Sequence, residues 1–250
     1  MRIYKIAALT LVFVLGLTGY AVARDDIQTL DVRVTPSKLD KKKFNKSAKI
    51  YVDIDTVADP EVSPNLDQPP SADRTQVDFP ANLKFNTKAA PNCKATSGGL
   101  QNTTTDQARS ICGSKSVISR ANGTDAEVTI DPDPANPSST PIIVDVVVTA
   151  FNGNAKNELY LHARADAVNN TSVLVGKLKK GPKGFSKTLD VAIPDLLAGA
   201  ISEFRVTVKK AAYVTARCKQ KTATFQARTQ YENHSPTEAL STAKCKQKKK

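Results

Sequence analysis

The chain has 250 residues, 40% of them hydrophobic and 24% charged, with a formal net charge of +12. That balance excludes a disordered chain, and the length suits one large β domain or two small ones. With no Trp and 6% aromatic residues, the sequence offers few stacking platforms for sugars or bases.

Residues 1–23 read as a secretory signal peptide. Arg2 and Lys5 precede an apolar stretch from Ile6 to Gly19, and Ala21-Val22-Ala23 is a small-x-small cleavage site. The stretch is short for a spanning helix, which needs about 20 residues. The expected mature chain is soluble, has no transmembrane span and carries +10, because residues 1–23 hold two cations and no acid.

The rest reads as short alternating runs separated by turns. Thr29 to Val34 and Ala48 to Val57 alternate, the second with Ile50, Val52 and Ile54 inward. Residues 59–73 carry Pro60, Pro64, Pro69 and Pro70 and read as a long surface loop. Val77 to Phe85 resumes a strand pattern with a bend at Pro80. Residues 89–113 form a Gly/Thr/Asn/Ser-rich loop with a helical turn near Asp106 to Ser110. Val117 to Ile130 follows as one or two strands interrupted at Asn122-Gly123, then a second proline loop over 131–139.

Ile142 to Phe151 and Glu158 to Ala165 read as a central hairpin across an Asn/Gly loop, the first strand covered on both faces. Val173 to Leu178 and Phe185 to Ile193 flank a Lys/Gly/Pro turn. A helical turn at 194–199 and strands at 201–208 and 222–231 complete the pattern. The expected fold is an all-β, antiparallel, Ig-like or similar β-sandwich over residues 24–245, with a possible subdomain boundary near 131–140. Residues 246–250 form a basic tail.

Four cysteines agree with export. Three pairings are open. The sequential one, Cys93–Cys112 with Cys218–Cys245, closes two local loops and is preferred. A zinc site needs closely spaced Cys pairs or nearby His, and the sequence has neither.

Val148-Thr149-Ala150-Phe151-Asn152-Gly153 followed by Leu159-Tyr160-Leu161-His162-Ala163 resembles a pattern in uncharacterised secreted proteins of actinobacteria. So do Val175 to Lys180, the segment from Val191 to Val208, the Pro91-x-Cys93 entry and the late Cys245. The resemblance covers roughly residues 48–245. It implies a secreted β fold and carries over no catalytic residues.

The sequence holds few candidates for chemistry. His162 falls on the outward face of the hairpin and His234 in a polar loop, neither with a nucleophile context. Ser241-x-x-Lys244 lacks the companion motifs of penicillin-binding enzymes. Asp53 and Asp55 share a strand face, about 7 Å apart by the strand rise, and read as solvated acids rather than a glycosidase or Ca²⁺ pair. Asp131-Pro132-Asp133 opens like a Ca²⁺ loop but has Ala135 where a third ligand belongs. The Asn-x-Ser/Thr acceptors at Asn45, Asn102, Asn122, Asn169, Asn170 and Asn233 would mark surface loops in a eukaryote.

The expectation is therefore a non-enzyme without cofactor or metal. It binds or acts structurally at the cell envelope, towards anionic polymers or lipid head groups and not specific nucleic acid. The contacts assigned are Lys177, Lys179, Lys180, Lys183, Lys246, Lys248, Lys249 and Lys250. The alternative is a carrier or adhesion-type module binding through loops 59–73 and 94–111.

Overall fold

The computed structural model describes residues 27–59, 68–120, 122–133, 136, 139–194 and 199–248. The signal-peptide reading, the helical turn at 194–199 and most of the first proline loop fall wholly or largely outside those residues, as do Lys249 and Lys250.

Fifteen strands form in chain order: β1 (Gln28–Thr35), β2 (Lys38–Leu39), β3 (Lys49–Thr56), β4 (Ala72–Pro80), β5 (Leu83–Phe85), β6 (Thr124–Ile130), β7 (Ile142–Asn152), β8 (Glu158–Ala165), β9 (Asn170–Lys180), β10 (Phe185–Ala192), β11 (Gly199–Val208), β12 (Val214–Ala216), β13 (Thr222–Tyr231), β14 (Thr237–Lys244) and β15 (Lys246–Gln247). Among the described residues one α-helix of two turns, α1 (Thr105–Cys112), interrupts them, with three short 3-10 turns around it.

Eleven strands make one antiparallel sheet in the order β1-β3-β11-β6-β7-β8-β9-β10-β4-β13-β14. The sheet curls until its edges lie together, and Val32 N–H on β1 donates to Ser241 Oγ on β14 at 3.0 Å. The expected sandwich is therefore a nearly closed, barrel-like sheet. Strand alternation does not separate the two, because both hide one face of every strand.

Strand number dictates how the edges meet. In an alternating sheet of eleven strands the first and last point the same way, so β1 and β14 close as a parallel seam. The parallel pair β2–β15 continues it, with Lys246↔Lys38 and Gln247↔Leu39 in register. The proline loop 131–141 is internal to this sheet and joins the neighbours β6 and β7.

Inward positions follow the period of two. Ile50, Val52 and Ile54 on β3, Val206 and Val208 on β11, and Phe225 and Ala227 on β13 are buried in one core. One end is stoppered by β5–β12, which brings Leu83, Val214 and Ala216 into that core, and by Tyr213. The Tyr213 hydroxyl donates to Asn152 Oδ1 at 3.0 Å. Asn152 Nδ2 in turn donates to the carbonyls of Thr87 and Ala90 and to Asn92 Oδ1.

A smaller core lies outside the barrel. Residues 93–117 fold over β7, β8 and β9 as a flap, packing Cys93, Leu100, Ala108 and Cys112 against Phe151, Tyr160 and Val173. The spacing of Ala108 and Cys112 puts both on one face of α1. A capping box starts the helix: Gln107 N–H donates to Thr104 Oγ1, and Thr104 N–H donates to Gln107 Oε1. Both faces of the central hairpin are covered only beneath this flap. Ile142 and Ile143, at the far end of β7, are 54% and 64% exposed.

The outer face of β9, β10, β4 and β13 carries an ion-pair lattice. Arg74 holds Asp190 by two bonds of 2.6 Å, and Lys179 binds the same carboxylate. These contacts hold the Asp190 carboxyl well below its ordinary range, Arg74 contributing most. A depressed folded value stabilises above the unfolded carboxylate pKa, and that contribution is lost as pH falls through about 4 towards the folded value. Asp190→Asn is expected to flatten the acid limb of a melting-temperature-against-pH profile below pH 5. An unchanged acid limb would remove Asp190 as a cause.

Candidate functional site

Because every sheet strand is antiparallel to its neighbours, successive connections alternate between the two ends of the barrel. The stoppered end receives β1–β3, β4–β6, β7–β8, β9–β10, β11–β13 and the C-terminal segment. Among the described residues these segments hold twenty Lys and Arg against two acids, Asp40 and Asp106. The opposite end receives β3–β4, β6–β7, β8–β9, β10–β11 and β13–β14. Its described connections hold five acids (Asp59, Asp131, Asp133, Asp166 and Glu232) and no Lys or Arg. The net charge is thus sorted along the barrel axis into a basic and an acidic pole.

The sequence-assigned lysines that fall among the described residues share the basic pole. Lys177, Lys179 and Lys180 end β9, and Lys183 sits in the turn to β10. Lys246 and Lys248 follow β14, where Lys246 N–H donates to Ser37 O and Lys248 N–H to Leu39 O. Lys179 is held by Asp190, whereas Lys177, Lys180 and Lys183 have no ion pair among the described residues.

A recess opens at the basic pole on the outer face of β1, β3, β11 and β6. The β6–β11 ladder stops at Phe204↔Ala126, while β11 stays paired with β3 as far as Val208↔Ile50. Where β6 peels away, a groove of about 540 Å³ opens. Arg33, Lys49, Arg120 and Arg205 line it with Tyr51, Thr35, Thr124, Thr207 and Asp125. Gly123, at φ +73°, makes the bend into β6 there, and a side chain at that position would meet Val147 and the Val148 carbonyl.

Towards the barrel's middle on the same face stand Asp53, Asp55 and Glu203, whose carboxylate oxygens lie within 4.8 Å of one another. Arg205 offsets part of this negative charge, contacting Asp53 at 3.4 Å and Glu203 more closely. The Tyr51 hydroxyl donates to Asp53 Oδ2 at 2.7 Å. Burial, reinforced by Asp53, raises the Asp55 carboxyl above its ordinary value. The Asp53/Asp55 pair is therefore a partly buried acidic step beside a guanidinium, not a pair of free surface acids.

His162 is on the outward face, as alternation expects, yet fully buried because the flap covers it. Thr103 Oγ1 donates to the Leu100 carbonyl, so the contacts of His162 Nε2 with Thr103 Oγ1 at 3.0 Å and Thr103 O at 3.2 Å require that nitrogen to carry the proton. Nδ1 is buried without a partner, and burial lowers the pKa. His162 is thus a neutral structural histidine. His234 bridges Ser235 O at 2.8 Å and Asp59 at 2.6 Å at the acidic pole. Ser241 and Lys244 lie on strand β14, where a spacing of three puts them on opposite faces, so Ser-x-x-Lys forms no helical dyad. Asp131 accepts from Asp133 N–H at 3.0 Å and from the Ser139 hydroxyl, bracing its own loop.

The barrel interior holds two apolar recesses that share Leu174, Ile201 and Phe204, each of about 60 Å³. A cavity that admits benzene measures about 150 Å³. In the 94–111 loop, assigned to ligand binding in the carrier reading, Leu100 and Ala108 pack on the barrel's own strands, while Ile111 is exposed.

The lysine runs are visible in the sequence; the groove is not. Arg33, Lys49, Arg120, Arg205 and Thr207 are isolated in sequence and converge only through strand register. Comparison of the chain with protein-family models, with curated proteins and with solved structures finds no significant match. Cys93–Cys112 and Cys218–Cys245 are bonded, the sequential pairing, which fits an oxidising, extracellular-type environment. Among the described residues no helix is long and apolar enough to cross a membrane.

Proposed function

We propose that this is a secreted, non-catalytic β protein that attaches to anionic polymers or lipid head groups of the cell envelope through its basic pole. The observation that carries the reading is the sorting of charge along the barrel axis: among the described residues, the connections at one end hold twenty Lys and Arg against two acids, and those at the other hold five acids and no Lys or Arg. A surface made basic merely for solubility has no reason to segregate its signs. A pole of one sign orients the molecule as it approaches a polyanion.

Attachment of this kind is screened by salt, with a Debye length of about 10 Å at 0.1 M and 3 Å at 1 M. Protein bound to isolated envelopes at low ionic strength is expected to be released by about 1 M NaCl. Substituting Gln for Lys180, Lys183, Lys246 and Lys248 should move release to lower salt, while Asn for Asp131 and Asp133 should not. Retention unchanged at high salt would falsify the reading.

A further inference from the structure

The groove between β6 and β11 has features that diffuse charge does not need. Its four cations differ in how they are held. Arg33 is fixed by Asp31 at 2.6 Å and lies 5.0 Å over the Tyr51 ring. Arg205 is fixed by Asp53 and Glu203. Each guanidinium has five donors, and one or two carboxylates leave some of them free. Lys49 and Arg120 have no ion partner among the described residues. Two oriented guanidinium groups and two uncommitted cations therefore line one recess, against the single lining carboxylate of Asp125.

The second observation concerns Thr207. It is 8% exposed, it lines the groove, and its hydroxyl has no hydrogen-bond partner among the described residues. A buried hydroxyl left unpaired carries a desolvation cost, so a group that pairs with it gains on binding. Thr35 and Thr124 add hydroxyls to the lining, and Asp125 can accept from a hydroxyl.

We infer that the groove binds a phosphodiester group carried on a hydroxyl-bearing chain, a polyol phosphate. The inference rests on the reading above and narrows it from a charged pole to one pocket. A phosphodiester brings one negative charge and several acceptor oxygens to the Arg, Lys and Thr207 donors, and the polyol hydroxyl meets Asp125. A bare carboxylate offers two oxygens and nothing for Asp125.

The test measures binding of a short soluble poly(glycerol phosphate) oligomer, and separately of phosphatidylglycerol vesicles, by the full mature chain. Lys49→Gln with Arg120→Gln is compared with Lys180→Gln with Lys183→Gln, which removes the same charge outside the groove. The groove pair is expected to lose tenfold or more in oligomer affinity and the outer pair under threefold. Thr207→Val, which changes no charge, is expected to lose at least threefold. Loss on the oligomer alone makes a free polymer the source of the phosphate; equal loss on vesicles makes it a lipid head group. Equal losses for the two double variants, with Thr207→Val binding like wild type, overturn the groove and leave electrostatic attachment standing. No binding of either probe by wild type at low salt overturns both.

Discussion

Replacing Arg228 with alanine is expected to lower the melting temperature by roughly 6–12 °C, which corresponds to about 3 kcal/mol in a chain of this size. Asp78 on β4 is fully buried. Its carboxylate accepts two bonds from Arg228, at 2.8 and 3.1 Å, and one from the Thr188 hydroxyl. Without the guanidinium a carboxylate stays buried among three strands with one neutral donor. Much of the loss is then the penalty of the abandoned charge rather than the worth of the pair. Asp78→Val combined with Arg228→Leu is accordingly expected to recover most of the stability, because matched apolar groups leave nothing unpaired. A single Arg228→Ala variant melting within 2 °C of wild type would show that water reaches Asp78 and that the lattice is ornamental.

Cys93→Ala with Cys112→Ala is the second large effect. The bridge spans a sequence separation of 19 residues, which on the chain-entropy model stabilises by about 3 kcal/mol. It also anchors the flap that seals His162, so the loss should be local as well as global. In wild type the imidazole is buried and its pKa lies below the ordinary value. Such a group opposes folding once the pH falls through the unfolded value near 6.5, because only the unfolded chain then takes up the proton. Freeing the flap should return His162 towards 6.5 in an NMR titration. The same bridge opened with His162 still silent would mean that the Leu100 and Ala108 packing holds the flap unaided.

These two sites differ in how far the sequence disclosed them. The cysteines and their local pairing were legible because loop closure is a one-dimensional property. The alternation of Ile50, Val52 and Ile54 was equally legible, since the period of two needs no knowledge of neighbours. The Asp78–Arg228 contact was not, because 150 residues separate its partners and only the β4–β13 register joins them. Sandwich and barrel were likewise indistinguishable: the difference lies in β11 crossing to sit between β3 and β6 and in the β1–β14 seam. Strand β14 itself gives no strand signal in the sequence. Its sequence, Thr-Glu-Ala-Leu-Ser-Thr-Ala-Lys, is small and polar, and Leu240 faces solvent at the edge. Alternation gives the face of His162, but a local pattern does not show that Thr103, 59 residues earlier, belongs to a cover over it.

An odd number of alternating strands also fixes where attachments leave the molecule. β1 starts at the acidic pole and β14 finishes at the basic one. A linker joined ahead of Ile27 therefore departs from the acidic mouth, and one joined beyond Lys248 departs from the basic stopper. Coupled to a bead or a sensor chip by the first route, the barrel presents its cations to the medium; coupled by the second, it buries them against the support and shows its carboxylates.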